Sequence, residues 1–147
     1  MNFFQKLRND LFWIQDAIKK GPINNQINDI DSILADYNSP RSKARREELL
    51  KSLLTHAAQT TPSYQNYKNF SSLSDFPVVN KNIIREKYER HKSRAVDLNQ
   101  AIEVCTSGST GTPFKALQDK RKKLRNTADT IYFAGKANFK IGQKLYY

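Results

Sequence analysis

The chain has 147 residues, enough for one ordinary domain, and its 38% of hydrophobic residues permit a core of moderate size. No apolar run reaches the ~18 residues that a membrane-spanning helix needs, and no signal peptide is recognisable, so we expect a cytoplasmic protein. A single cysteine, Cys105, excludes an internal disulfide and any cysteine-based zinc site. The net charge of +11 favours anionic partners such as nucleic acid, anionic lipid or phosphorylated small molecules, without choosing among them.

The first predicted element is an amphipathic helix over residues 1–20. Its apolar residues recur every three or four positions and form one stripe: Phe3, Leu7, Leu11, Ile14 and Ile18. Such stripes usually face a core, so we expect this helix to pack against the rest of the protein. The flanking Lys and Arg residues indicate an alternative, in which residues 1–20 attach the protein peripherally to the inner membrane surface.

Further helices are predicted over residues 25–37 and 42–59, where apolar residues again recur with helical spacing. His56 lies near the end of the second of these helices. No cluster of Cys or carboxylate residues accompanies it, so we interpret it as a structural residue rather than a base or a metal ligand. Residues 62–79 read as an ordered loop pinned by aromatic side chains, namely Tyr64, Tyr67, Phe70 and Phe76.

The second half of the chain mixes helices with strands. Asn80 is predicted to cap a short helix, and AIEVC at 101–105 alternates as a strand does. PFKALQD at 113–119 can return as its partner strand, and a helix follows to about residue 136. KLYY at 144–147 is predicted to begin another strand.

Two basic runs stand out, KRKKLR at 120–125 and RSKARR at 41–46. Their charges are not interleaved with aromatic residues, as a platform for stacked bases would require. We therefore interpret them as solvated helix faces, with nucleic-acid binding as the alternative.

The stretch TSGSTG at 106–111 is the least ordinary part of the sequence. Gly108 and Gly111 allow a ligand to approach the backbone, and successive N–H groups in such a turn can form a nest for an anion. The hydroxyl groups around them belong to Thr106, Ser107, Ser109 and Thr110. It is neither a Walker A loop nor a dinucleotide fingerprint. From the residues alone, a phosphate site and a plain flexible turn remain equal interpretations.

TSGSTGTPFK at 106–115 resembles the phosphate-binding signature of the adenylate-forming (AMP-binding) superfamily, which reads approximately [ST]-[ST]-G-[ST]-T-G-x-P-K. Residues 106–111 and Pro113 match this pattern. The lysine is displaced by one position, because Phe114 stands in its usual place and Lys115 follows.

Two upstream segments narrow the resemblance to one branch. LLTHAAQTTPSYQNY at 53–67 and LSDFPVVNKNIIREKY at 73–88 are similar to segments of the phenylacetate–CoA ligase-like and capsular-polysaccharide biosynthesis CapK-like group. The second segment matches a pattern of the form FPV…K…R that precedes the loop. The resemblance covers about residues 45–147.

The resemblance implies an ATP-dependent ligase. A carboxylate attacks the α-phosphate of ATP, giving an acyl-adenylate and pyrophosphate, and CoA or another acceptor then takes the acyl group. ATP and magnesium are the implied cofactors, and capsular or cell-surface polysaccharide biosynthesis is the implied setting. The residues that would hold the ATP phosphates are Thr106, Ser107, Gly108, Ser109, Thr110, Gly111 and Lys115.

The resemblance also implies a fold of the α/β class, which within this chain amounts to α+β. A helical N-terminal region at 1–99 would lead into the first strands of a large adenylation domain at 100–147, with an incomplete sheet and the phosphate loop at 106–113. Catalytic residues are expected beyond Tyr147, no metal ligand is assigned, and the chain is expected to be an N-terminal fragment that is inactive alone. The alternative is a basic module that binds nucleic acid or anionic membrane without catalysis.

Overall fold

The computed structural model describes residues 1–106 and 113–144. Within these ranges the helices are α1 (Phe3–Ile18), α2 (Pro22–Leu34), α3 (Pro40–Thr60), α4 (Lys81–Glu86) and α5 (Lys120–Lys136). The strands are β1 (Ile102–Cys105) and β2 (Lys115–Gln118), and short 3-10 turns lie at Pro62–Tyr67, Leu73–Asp75, Tyr88–His91 and Leu98–Gln100. The described residues therefore form a mainly helical fold of the coarse α+β class, as predicted. Most of the strand predicted at 144–147 lies outside the described residues.

The chain divides into two compact units. Unit 1 comprises Met1–Lys43 and Arg121–Tyr147, and unit 2 comprises Ala44–Lys120. The predicted domains at 1–99 and 100–147 were drawn from the family resemblance and stay a prediction. Among the described helices, none combines the length and the apolar character needed to cross a bilayer.

The core of unit 1 lies between α2 and α5. Ile30, Ala128 and Tyr132 form its buried cluster, and Ile23 and Ile27 pack against it. Because Ala128 and Tyr132 are four residues apart on α5, they lie on the same face of that helix and together meet the apolar face of α2.

Polar contacts reinforce the same interface. The Arg125 guanidinium lies 2.7 Å from a carboxylate oxygen of Asp29 and donates a hydrogen bond of 3.1 Å to Gln26. The Tyr132 hydroxyl donates to the Asp31 carboxylate at 2.9 Å. These bonds satisfy polar groups at the edge of the cluster and fix the register of α5 along α2.

The corner between α1 and α2 is built from two residues in the left-handed region. Lys20 has φ 70° and Gly21 has φ 65°, which reverses the chain after α1. Gly21 has no side chain to cap α2, so the carboxylate of Asp16 does this instead. It accepts hydrogen bonds from the backbone N–H groups of Ile23 (2.9 Å) and Asn24 (3.0 Å).

The bounds predicted for α2, residues 25–37, are wrong by three residues at each end, since the helix spans Pro22–Leu34. Proline is favoured in the first turn of a helix because its missing N–H would have no intrahelical partner there. The first helix ends at Ile18, and Pro22 begins the second.

α1 turns its apolar stripe outward. Its exposed large apolar residues are Phe3, Phe4, Leu7, Leu11, Ile14 and Ile18. The less exposed residues lie on the opposite face and are Gln5, Asn9, Phe12, Trp13 and Asp16. The expectation that the stripe packs against the rest of the protein is therefore wrong, because the helix packs by its other face.

In unit 2, the four aromatic residues predicted to pin the segment after α3 contact one another, and Phe76 is the ring that the other three share. The Phe76 ring lies 5.9 Å from Tyr64, 5.4 Å from Tyr67 and 5.4 Å from Phe70, measured between ring centroids. Aromatic pairs at such separations contribute beyond the apolar area that they bury. These contacts bring together the two ends of an irregular segment.

Two side chains cap the short elements that follow. The Asp75 carboxylate accepts from the backbone N–H groups of Ser71 (2.6 Å) and Ser72 (2.9 Å), and these bonds, with that of Ser72 the strongest, lower the pKa of Asp75. Asn80 accepts from the backbone N–H groups at the start of α4, which confirms the predicted cap.

The hairpin of β1 and β2 carries the predicted phosphate loop. The two strands pair antiparallel, with Ile102 opposite Gln118 and Cys105 opposite Lys115. This confirms that the segment at 113–119 returns as the partner of the strand at 101–105. The residues that connect the strands start at Thr106 and end at Phe114.

Candidate phosphate-binding site

The two ends of the predicted phosphate loop are held side by side at the end of the hairpin. The backbone N–H of Thr106 donates to the carbonyl of Phe114 at 3.0 Å, and the Thr106 hydroxyl oxygen accepts from the backbone N–H of Phe114 at 3.1 Å. A threonine hydroxyl that accepts one bond keeps its own proton for a further acceptor. Thr106 can therefore close the loop and donate to a phosphate oxygen at the same time.

Of the seven residues predicted to hold the ATP phosphates, Thr106 and Lys115 lie within the described part of the chain. Both lie at the stem of the loop, because Thr106 directly follows β1 and Lys115 begins β2. The other five lie outside the described residues and are Ser107, Gly108, Ser109, Thr110 and Gly111. Their assignment stays a prediction.

Lys115 forms an ion pair with Glu103, a residue that was not predicted to belong to the site. Its Nζ lies 2.9 Å from Oε1 of Glu103, and both side chains are about half exposed. Because Cys105 stands opposite Lys115, Glu103 is the diagonal neighbour on the same face of the hairpin. The hydrogen bond raises the pKa of Lys115 and lowers the pKa of Glu103. Lys115 is therefore firmly protonated, but it must exchange Glu103 for phosphate if it is to bind a nucleotide.

Two further cations approach the stem from α4. The Lys81 ammonium and the Arg85 guanidinium each lie 6.0 Å from the centroid of the Phe114 ring. This distance is at the limit of a cation–π contact, so the attraction to the ring is weak. The arrangement nevertheless places two positive side chains beside the residue that ends the loop.

Sequence reasoning missed Lys81 and Arg85 as site residues. They stand four positions apart, which places both on one face of a helix. They are also the K and the R of the FPV…K…R pattern on which the resemblance of the segment at 73–88 depends. The signal was therefore visible in the sequence, but its proximity to Phe114 was not.

His56 belongs to a small hydroxyl network at the end of α3. Its Nε2 lies 3.2 Å from the Ser93 hydroxyl, which donates to the Thr60 hydroxyl at 2.9 Å. Thr60 in turn donates to the His56 carbonyl at 2.7 Å. A serine beside a histidine can form a nucleophile and base pair, but the proton of Ser93 is directed at Thr60. The geometry therefore favours the predicted structural role for His56.

A wide recess of about 620 Å³ lies on unit 2 beside Ser93. Its basic lining consists of Arg90, Lys92 and Arg94. Lys92 is neutralised by Glu89, at 2.6 Å between Nζ and Oε1. The recess therefore adds positive charge to unit 2, but it includes neither Thr106 nor Lys115.

The described residues do not provide a ready magnesium site. Over 1–106 and 113–144, no group of three or more His, Cys, Asp or Glu side chains is placed to hold a metal ion. Magnesium is usually bound by one or two carboxylates together with phosphate oxygens and water. Glu103 is the carboxylate at the loop stem, and it forms an ion pair with Lys115. Nothing in the described residues is therefore assigned to magnesium.

The basic run at 120–125 divides into two parts. Arg125 serves unit 1, because it binds Asp29 on α2 and Asp129 one turn further along α5. Arg121, Lys122 and Lys123 are exposed in the first turn of the same helix. This pattern fits the interpretation of a solvated helix face for the exposed part and adds a structural role for Arg125.

Comparison with known proteins identifies no family. No protein-family model matches the chain, and neither a curated protein nor a solved structure matches it. The assignment to the adenylate-forming superfamily therefore stays a prediction based on the loop motif and its two upstream segments.

Proposed function

We propose that this chain carries the phosphate-binding loop of an ATP-dependent adenylate-forming ligase of the phenylacetate–CoA ligase-like or CapK-like branch. The ligase would activate a carboxylate as an acyl-adenylate, release pyrophosphate and pass the acyl group to CoA or another acceptor. The observation that carries the proposal is the motif TSGSTGTPF at 106–114. The implied setting is capsular or cell-surface polysaccharide biosynthesis in the cytoplasm.

The contacts at the loop stem support this proposal. Thr106 keeps a hydroxyl proton for a phosphate oxygen, and Lys115 and Lys81 bring positive charge to the two strand ends. In the proposed reaction, a carboxylate oxygen bonds to the α-phosphorus while the bond from that phosphorus to the bridging oxygen breaks. Negative charge then builds on the leaving pyrophosphate, and fixed donors and cations around it lower the barrier.

The experiment that tests the proposal is carboxylate-dependent exchange of labelled pyrophosphate into ATP, measured with a panel of acyl and aryl carboxylates. We expect exchange to fall about tenfold or more in Thr106→Val and in Lys115→Ala, because each removes a phosphate contact. Lys51→Ala is the matched control, since Lys51 is exposed in the middle of α3. Exchange that is equal in all three variants would refute the assigned roles.

The chain of 147 residues can be tested separately. We expect it to bind inorganic pyrophosphate in a calorimetric titration, because Thr106 and Lys115 lie at the stem of the proposed phosphate loop. Absence of pyrophosphate binding would contradict the proposal for the loop itself.

The alternative function is a basic module that binds nucleic acid or an anionic surface without catalysis. The exposed side chains Arg121, Lys122 and Lys123 at the start of α5 favour it. If it is correct, a generic oligonucleotide will bind with an affinity that falls steeply as salt rises, and Arg121→Glu will weaken binding. An unchanged affinity in Arg121→Glu would contradict a role for these exposed side chains and, with it, this alternative.

A further inference from the structure

The orientation of α1 about its own axis is fixed by contacts within unit 1. The Asp16 carboxylate binds the first turn of α2, and the Asn9 amide donates to the carbonyl of Ile141 at 3.1 Å. The Arg8 guanidinium donates to the carbonyl of Gly142 at 2.9 Å. Asn9 and Asp16 lie on one side of the helix, two turns apart, and Arg8 lies on its flank. The side opposite Asn9 and Asp16 is therefore turned away from the rest of unit 1.

That opposite side carries six large apolar side chains. Their exposed fractions are 75% for Phe3, 67% for Phe4, 45% for Leu7, 50% for Leu11, 55% for Ile14 and 78% for Ile18. At 100° per residue all six fall within an arc of about 100°, and the helix is about 24 Å long. We call this surface the outer stripe. A contiguous apolar surface of this extent on a folded unit marks an interaction site.

The rim of the outer stripe is mainly basic. Lys6 borders one side and Arg8 borders the other, and Lys19 and Lys20 follow at the C-terminal end of the helix. Asp10 is the acidic residue on the rim. Unit 1 as a whole contains thirteen Lys and Arg residues against six Asp and Glu residues, a net charge of +7. The surface is therefore complementary to one that is apolar inside and negatively charged outside.

We propose that α1 docks unit 1 on an anionic phospholipid surface, with the outer stripe inserted at the boundary between head groups and acyl chains. Helices that lie in a bilayer interface combine a Phe- and Leu-rich face with Lys and Arg beside it, as α1 does. A bilayer also accepts an apolar stripe without requiring a matching groove. Self-association of two stripes is disfavoured, because it would bring two basic rims together.

The proposal is independent of the proposed ligase activity, and its test uses the whole chain. The measurement is co-sedimentation with phosphatidylcholine vesicles, either pure or containing about one quarter phosphatidylserine. We expect binding to the anionic vesicles that exceeds binding to the neutral ones by about tenfold or more, and that weakens as salt is raised.

Substitutions on the outer stripe and its rim define the surface. Leu7→Glu combined with Ile14→Glu should abolish sedimentation, and Lys6→Glu should reduce the affinity by about fivefold or more. The matched control is Leu53→Glu with Val78→Glu, which makes the same change at two exposed apolar residues outside α1. Circular dichroism checks that both double variants remain folded, as expected for exposed positions.

Three outcomes would overturn the proposal. The first is equal sedimentation of the wild type and the Leu7→Glu, Ile14→Glu variant. The second is loss of sedimentation in the control variant to the same degree. The third is a wild type that does not bind vesicles and is dimeric in light scattering, while the Leu7→Glu, Ile14→Glu variant is monomeric. A second copy of the chain would then cover the outer stripe.

Discussion

The stability of the α1–α2 corner should depend strongly on one carboxylate. Asp16 is 4% exposed, and its two oxygens accept separate backbone N–H groups of α2, from Ile23 at 2.9 Å and from Asn24 at 3.0 Å. In Asp16→Asn one oxygen is retained, but an amide NH₂ group replaces the other and faces a donor. A hydrogen bond to a charged group contributes about 1.5–3 kcal/mol, and the charge at a helix N-terminus adds up to about 1 kcal/mol. We expect the free energy of unfolding to fall by about 2–3 kcal/mol.

The assay is urea unfolding followed by tryptophan fluorescence. Trp13 is the single tryptophan of the chain and lies one turn before Asp16, so its emission reports on unit 1. Asp10→Asn is the matched control, because it makes the same chemical change at an exposed position of the same helix. It should change the free energy by no more than about 0.5 kcal/mol. An equally small effect of Asp16→Asn would refute the inferred cap.

Three further predictions concern charges. Glu103→Gln should strengthen binding of inorganic pyrophosphate by about two- to fivefold in a calorimetric titration, because it releases Lys115 from its ion pair; weaker binding would contradict this. Arg121→Glu should raise the free energy of unfolding by about 0.3–1 kcal/mol, and with it the thermal midpoint, because α5 has no acidic residue in its first turn. A lower midpoint would contradict the reasoning. Asp75, whose pKa is lowered in the folded state, stabilises the fold above its unfolded pKa of about 3.9, and this stability is lost as pH falls through the lower folded value. Asp75→Asn should therefore be less stable than the wild type at pH 7 in urea unfolding, and the difference should shrink at about pH 3; a difference that grows would exclude the mechanism.

The elements of the fold were predictable where a periodic pattern and a local cap coincide. The hairpin at 101–119 and the cap at Asn80 follow from alternation and from a side chain that reaches its own helix. The environment of the stripe on α1 was not predictable. Periodicity shows that a helix has an apolar face, but which face packs depends on contacts such as that of Asp16 with the next helix.

The candidate site was predictable in part. Thr106 and Lys115 follow from the motif, and the structure holds both at the stem of the loop. The pairing of Lys115 with Glu103 depends on the register of two strands, which the motif does not contain. The position of Lys81 depends on how α4 lies beside the hairpin, which involves residues 33 positions apart.

The contacts of Phe114 and Lys115 suggest why the lysine of the motif can be displaced by one position. The family pattern has a lysine where this chain has Phe114, and Lys115 begins β2 on the face that it shares with Glu103. Two cations from α4, Lys81 and Arg85, lie 6.0 Å from the centroid of the Phe114 ring. If the loop binds the phosphates of ATP as we propose, the positive charge that the pattern carries at the position of Phe114 can be supplied by α4. Pyrophosphate affinity should then fall more in Lys81→Ala than in Lys115→Ala, because Lys115 first has to leave Glu103.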